Sequence, residues 1–261
     1  MNRAMFSAAT GMEAQQTRID VIANNLANVN TNGFKKDRTH FEDLVYQTLR
    51  SPGGRTSQGT VRPTGLQIGH GTRLVSVAKS YNQGSMLQTQ NQLDMAIEGR
   101  GFFRIRLPSG QFAYSRDGAF RTDRNGRVVT PSGDPLDPPL EIPPETEQVL
   151  ISREGVVSAY QAGEPEGIEI GRIELVDFQN AAGLENMGHN YLRQTEASGE
   201  PVVLVPGERG AGTISQGFIE QSNVKVVEEM IALINSQRAY EINSKVIQTA
   251  DAMLQNATRI R

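Results

Sequence analysis

The residues able to do chemistry are few and scattered. Three histidines stand at His40, His70 and His189. Only His40-Phe41-Glu42-Asp43 brings carboxylates near one of them, and it lacks metal-ligand spacing. Such a group reads as solvated or structural charge. Glu141, Glu145 and Glu147 suggest the carboxylate pair that glycoside hydrolysis uses. They sit around a proline-rich loop and read as exposed charge. Gly99-Arg100-Gly101 and Gly207-Glu208-Arg209-Gly210 are too short for nucleotide-binding fingerprints and lack the strand-to-helix context. No Gly-x-Ser-x-Gly elbow occurs. Lys35-Lys36-Arg38 is a small basic cluster that reads as helix-end charge. No catalytic residue, cofactor-binding residue or metal ligand is assigned, and the chain reads as non-enzymatic.

Composition narrows the field in the same direction. The 261 residues carry 26 basic against 29 acidic side chains and a formal charge of −3. Mixed charge of this kind argues against nucleic acid, a polyanion that selects strongly basic surfaces. With no cysteine, disulfides, thiolate zinc sites, iron–sulfur clusters and cysteine nucleophiles are all excluded. No run approaches 18 apolar residues, so no membrane-spanning helix is expected. Nor does Met1–Gly11 resemble a secretory signal. Taken alone, that favours the cytoplasm.

The elements follow from where the helix breakers lie. All twelve prolines fall between Pro52 and Pro206, and glycine is absent from 12–32 and after Gly217. Proline costs ~3 kcal/mol inside a helix and glycine ~1 kcal/mol, so both ends can be long helices and the middle cannot. At the N-terminal end, Met5, Met12, Ile19 and Leu26 form one seven-residue track, and Ala8, Gln15, Ile22 and Val29 a second. That is the seam of a coiled coil. Gly33, after Asn30-Thr31-Asn32, is a suitable helix stop. At the C-terminal end Val226, Met230, Leu233, Tyr240, Ile247 and Leu254 form one stripe, interrupted by Gln237 and Ser244. Ala239, Ile242, Val246, Ala250, Met253, Ala257 and Ile260 form another. The two lie about 120° apart, so one partner helix cannot cover both. The helix they share, about 38 residues and ~57 Å long, exceeds what a compact domain needs.

The middle reads as β structure. Phe102–Leu107, Gln111–Tyr114, Arg127–Thr130, Val149–Ile151, Val156–Ser158, Ile168–Phe178 and Pro201–Val205 carry strand patterns. Asp117-Gly118 and Asn125-Gly126 are hairpin-turn dipeptides. Asp134–Pro144 reads as an extended connection. Residues 47–66 are polar and breaker-rich, a long loop or extended arm.

The fold class is therefore α+β: long N- and C-terminal helices pairing as a coiled coil, a central, mostly antiparallel β domain, and an extended arm between them. The domain division places the helices in 1–36 and 223–261, a connecting region in 37–94 and 206–222, and the β domain in 95–205. A helix pair leaves its outer stripes exposed, and such stripes mark interaction surfaces. Other copies of the same chain satisfy them most economically, and head-to-tail contacts that do not close generate a helical filament.

At this point the residues match a known family. Ile22-Ala23-Asn24-Asn25-Leu26-Ala27-Asn28-Val29-Asn30-Thr31-Asn32-Gly33-Phe34-Lys35 resembles the N-terminal signature of bacterial flagellar rod and hook proteins. Ser222-Asn223-Val224, Val227–Met230 and Gln237-Arg238-Ala239-Tyr240-Glu241-Ile242-Asn243-Ser244-Lys245 resemble its C-terminal signature. Leu93–Phe103 and Tyr114–Phe120 are similar to its first β region. The resemblance covers essentially the whole chain. Phe41–Thr48, Gly65–Gly69, the arm between them and the total length resemble the distal-rod branch, since hook proteins usually carry a further outer domain. Proximal-rod and hook subunits are the nearest alternatives.

The resemblance implies a structural subunit that polymerises into a hollow drive shaft. Paired helices would form an inner tube and the β body an outer wall of mixed charge. The partners implied are further copies of the chain, proximal rod proteins, the hook protein, the peptidoglycan-layer and outer-membrane ring proteins, and the flagellar type III export apparatus. No nucleic acid, small-molecule substrate or cofactor is implied. The location implied is the flagellar basal body, crossing the periplasm and outer membrane, reached without a cleaved signal peptide. That replaces the cytoplasmic reading, and the absence of cysteine is consistent with passage into an oxidising compartment. The signature residues are Asn24, Asn25, Leu26, Ala27, Asn28, Asn30, Thr31, Gly33 and Phe34, with Gln237, Arg238, Ala239 and Tyr240. The asparagines either cap the helix end or bond between subunits. The residues expected to pack between subunits are Met5, Met12, Ile19, Ile22, Leu26 and Val29, with Met230, Leu233, Tyr240, Ile242, Val246, Ile247, Met253 and Leu254. A periplasmic glycan-active enzyme with helical anchors and a secreted translocator-type coiled-coil protein are the rivals from other classes. The arm is expected to lie against adjacent subunits and stiffen the shaft.

Overall fold

The computed structural model describes residues 2–50, 53, 64–161, 167–208 and 210–259. It confirms the α+β class, with a helix at each end of a central antiparallel region. Two units result: one of residues 1–27, 37–78 and 225–261, the other of residues 28–36 and 79–224.

In the first unit, α1 spans Asn2–Ala27 and α2 spans Val226–Arg259. At 34 residues, α2 is about 51 Å long at 1.5 Å per residue. Glu228 and Glu229 lie in its first turn, where negative charge favours the helix N-terminus. The two helices pack together. A Cβ at Gly11 would come within 2.9 Å of Asn243 Nδ2, and Asn25 Nδ2 donates to Glu229 Oε2 at 3.3 Å. From 11 to 25 is fourteen residues up α1, and from 243 to 229 is fourteen down α2. The helices are therefore antiparallel, held in one register over two heptads.

α1 also meets the strands of its unit. It packs on the strand Asp37–Asp43, which pairs with Thr72–Lys79. Gly71 approaches so closely that a Cβ would fall 2.2 Å from Thr10 Oγ1. A second ribbon pairs Tyr46–Arg50 antiparallel with Leu66–Gly69. The arm expected over 47–66 is thus strand at 47–50 and at Leu66. Residues 51–52 and 54–63 lie outside the described residues.

The N-terminal helix ends earlier than Gly33. After Ala27 the chain turns, with the Thr31 N–H donating to the Asn28 carbonyl at 3.2 Å and the Thr31 hydroxyl to Asn28 Oδ1 at 3.1 Å. Asparagine side chains offer the backbone such alternatives to helix, and the Asn28-Val29-Asn30 run takes them. Val29 consequently leaves the heptad track it was expected to extend. Gly33 does adopt left-handed geometry, φ 67°, but as a close-approach point: a Cβ there would sit 2.7 Å from the main chain of Arg116 and Asp117.

The second unit is built on a seven-stranded sheet. Its order is Glu185–Gly188, Tyr191–Arg193, Phe112–Ser115, Phe102–Arg106, Leu175–Asp177 and Val202–Leu204, with Leu136–Asp137 also on Phe102–Arg106. Every recorded pairing within it is antiparallel. Strand alternation divides the core: Phe103 joins Met95, Ile97, Phe120, Leu175 and Ile214 in the larger cluster, while Phe102 joins Tyr114, Val176 and Phe178 in the smaller. A three-stranded sheet of Thr146–Ile151, Val156–Gln161 and Ile168–Arg172 packs with the larger cluster.

Two turn assignments come out differently. Asn125-Gly126 does turn a hairpin, Gly126 having φ 79° and joining Arg121–Thr122 to Val128–Val129. Asp117-Gly118 does not. Gly118 is needed for contact, since a Cβ there would fall 1.6 Å from the Met95 carbonyl oxygen. The missed hairpin turn is His189-Asn190, both with positive φ (53° and 62°). The expected strand over 168–178 is two strands, and the 134–144 connection contains the short strand Leu136–Asp137.

Candidate functional site

Two buried polar clamps, one in each unit, take up Asn25 and Lys35 of the N-terminal signature run. In the first unit Asn25 is 1% exposed. Its Oδ1 accepts the Asp37 N–H at 2.8 Å, and its Nδ2 donates to the Asp37 carbonyl at 2.9 Å and to Glu229 Oε2 at 3.3 Å. One amide thereby imitates a strand neighbour for Asp37 and holds α1, the first strand and α2 at one point. A carboxylate cannot donate and an alkyl group can do neither, so the position requires an amide. Asn28 Oδ1 accepts the Thr31 hydroxyl in the turn after α1. Asn24 and Asn30 are exposed. Beside the two roles weighed for these asparagines, Asn25 performs a third, a tertiary bridge within the chain.

In the second unit the clamp is ionic. Lys35 Nζ lies 2.6 Å from Glu220 Oε1, with both side chains almost wholly buried, and it donates to the Asn82 carbonyl at 2.9 Å. Arg116, also buried, places Nε 3.7 Å from Glu220 Oε2 and donates to the Gly99 carbonyl at 2.6 Å. Burial pulls the Lys35 ammonium below its ordinary pKa, and Glu220 opposes that. Burial lowers Arg116 likewise, again against Glu220. The reading of Lys35 as helix-end charge is therefore wrong: the helix has ended eight residues earlier, and the ammonium is the buried half of an ion pair. Beside it, Asn223 Oδ1 accepts the Lys36 N–H at 2.8 Å and Nδ2 donates to the carbonyls of Ser80 and Asn82. Phe34 lies under Lys79 Nζ, 4.8 Å from the ring centre.

The helix faces are the second feature. The deepest seam residues are Ala8, Ala14, Ile22 and Asn25 on α1 and Glu229, Ser236 and Ala250 on α2. Met5, Met12, Ile19 and Leu26 are half-buried, as are Leu233, Ala239, Ile247 and Leu254. Met230, Tyr240, Ile242, Val246 and Met253 stand exposed, and Gln237 and Arg238 face solvent. The α1-facing seam thus draws on both expected stripes. Val227, Ile231 and Ile234, which neither stripe included, are exposed too. They and Ile242, Val246 and Met253 give α2 an apolar face away from α1. Leu66, Ile68, Leu74, Val75 and Val77 on the strands of the same unit, and Val45 between two of them, add exposed apolar surface.

The would-be chemical groups stay apart. His40 and His189 are exposed, as are Glu141, Glu145 and Glu147. Glu42 pairs with Arg73. Among the described residues no cluster of three histidine or acidic groups is arranged to hold a metal.

Comparison with known proteins places this architecture. A relative from Buchnera aphidicola subsp. Schizaphis graminum, flagellar basal-body rod protein FlgG, is 48% identical over 98% of this chain and 99% of its own. The chain belongs to the FlgG family of flagellar basal-body rod proteins. Three family models agree: "Flagella basal body rod protein" over residues 5–35, "Flagellar hook protein FlgE/F/G D1 domain" over 96–159, and "Flagellar basal body rod FlgEFG protein C-terminal" over 215–260. Caulobacter vibrioides separates the branches. Its FlgG is 45% identical over 99% of this chain, its FlgF 32% over 98%. The family is structural, and the chain is not an enzyme. The first and third family models span the stretches that hold Asn25, Lys35 and Glu220.

Proposed function

We propose that the chain is the distal-rod subunit of the flagellar basal body and polymerises into a rigid hollow shaft that transmits torque from motor to hook. The observation that carries the reading is the apolar outer face of α2. A helix with one face packed in its own chain and another apolar face in solvent is incomplete as a monomer. In the polymer, helices of neighbouring copies cover that face, and the antiparallel pair continues as a coiled coil in the inner tube. Met230, Tyr240, Ile242, Val246 and Met253 pack between copies, joined by the half-buried Met5, Met12, Ile19, Leu26, Leu233, Ile247 and Leu254. Ile22 is occupied within the chain.

The same reading assigns residues 1–36 and 223–261 to the inner tube, 95–205 to the outer wall, and 37–94 with 206–222 to the connection. Residues 47–66 lie against adjacent subunits. Proximal rod proteins, the hook protein, the ring proteins and the type III export apparatus are its other partners, and the shaft crosses the periplasm and outer membrane. Electron microscopy of the purified protein, concentrated stepwise, tests the reading. Straight tubes are expected, and discrete particles at every concentration would overturn it.

A further inference from the structure

The last strands of the second unit carry its most distant contacts. Thr213–Gln216 pairs with Met95–Glu98, and Phe218–Glu220 with Met86–Gln88. Three side chains on these strands close separate parts of the unit. Ile214, 1% exposed, belongs to the larger core cluster. Gln216 Nε2 donates to the carbonyls of Gln92 and Val149 at 2.8 and 2.7 Å, and its Oε1 accepts the Ile151 N–H at 3.0 Å. That seals the edge strand of the three-stranded sheet, which would otherwise present free backbone groups. Glu220 supplies the carboxylate for both Lys35 and Arg116 and also accepts the Gly84 N–H at 2.8 Å.

A chain is made from its N-terminus, so everything this segment closes exists before the segment does. Without it the core lacks Ile214, the sheet edge is bare, and two cations must enter the interior with no carboxylate between them. A buried charge without its partner strongly destabilises the folded state. Lys35 and Glu220 are 185 residues apart in sequence, so no local structure stands in for the pair.

We propose that residues 213–220 are a closing latch: the preceding β structure of the second unit stays unfolded until they arrive, and Glu220 then fixes Lys35 and Arg116. The inference goes beyond the rod reading and does not depend on it. Folding is withheld from an incomplete chain, and the signature segment Gly33–Lys36 locks only when the far end is present.

Trypsin reads the latch directly, because Lys35 and Arg116 are both cleavage points and both are buried. Chains stalled on the ribosome with residues up to Gly210 outside should be cut rapidly after each. Chains exposed to Val224 should be cut at least tenfold more slowly. Protection of Arg116 in the shorter chain would overturn the latch. In the complete purified chain, Glu220→Gln keeps the shape but drops the charge, and cleavage after Lys35 should rise at least tenfold. Glu208→Gln, at an exposed carboxylate outside these strands, should keep the parental rate and so separates the loss of this buried charge from the loss of a carboxylate in general. A parental rate in Glu220→Gln would remove the ionic half of the proposal.

Discussion

A carboxylate on the outer face of α2 separates assembly from folding. Ile242 is 64% exposed in the single chain, so Ile242→Asp should change monomer stability by no more than about 0.5 kcal/mol, as surface substitutions do. On the proposed assembly the same site is covered in the polymer. Fully burying an isoleucine gives about 1.5–3 kcal/mol, and the exposed two-thirds leaves about 1–2 kcal/mol to be gained on assembly. Aspartate forfeits that gain and adds the cost of desolvating a charge without a partner, at least another ~2 kcal/mol. Roughly 3 kcal/mol per contact raises the concentration needed for polymerisation at least ~100-fold. Sedimentation across a concentration series, with thermal melting of the dilute monomer, measures both quantities. Polymerisation at the parental concentration would refute the assignment of this face. Leu26→Asp or Ile247→Asp tests less, since both sites are half-buried in the chain itself and a carboxylate there damages folding and assembly together.

Three further outcomes follow from the geometry. Asn25→Ala removes the hydrogen bonds to the Asp37 N–H and carbonyl and to Glu229. It should cost about 2–4 kcal/mol at ~1 kcal/mol net per hydrogen bond and more for the one to a carboxylate, seen as faster hydrogen exchange in α1 and in Asp37–Asp43. Gly118→Ala drives a Cβ to within 1.6 Å of the Met95 carbonyl and should lower the melting temperature of the second unit more than Gly110→Ala, which meets no atom within 4 Å but carries positive-φ strain at 82°. Asp117 has its pKa raised, first by burial, against hydrogen bonds from Ala119 and Asn190. A raised folded-state pKa means a stability contribution fully present below the unfolded value of 3.8 and lost as pH rises through the higher folded value. Denaturant midpoints of the parent and Asp117→Asn across that window should therefore differ in slope, and parallel curves would contradict the shift.

The elements were legible in proportion to how local their causes are. Long stretches without proline favour helix, so the existence of α1 and α2 follows from the placement of Pro52 and Pro206, whereas the end of α1 is set by the turn at Asn28 rather than by Gly33. Period-two runs such as Phe102–Arg106 become strands because each face meets its own core. Asp117-Gly118 misled because the same dipeptide serves a turn or a close backbone approach, and only the neighbouring Met95 carbonyl decides which. The α2 seam misled for a related reason. Apolar residues mark faces that need covering, but not which partner covers them. Here the face turned to α1 carries Glu229, Ser236 and Asn243, while isoleucines point away.

The same distinction explains the signature. A repeated apolar pattern reports that a helix has a partner, and many partners satisfy it. A buried amide with both ends bonded, or a lysine sunk beside one carboxylate, admits a single arrangement, because every alternative leaves a polar group unsatisfied in the interior. Lys35 read as helix-end charge because its partner lies 185 residues on, beyond the reach of any local pattern. Apolar clusters bury the bulk of the second unit, and polar points such as Asn25 with Glu229 and Lys35 with Glu220 fix which strand and helix positions meet. On the proposed assembly this division leaves the apolar face of α2 to other copies, because none of those bonds uses it.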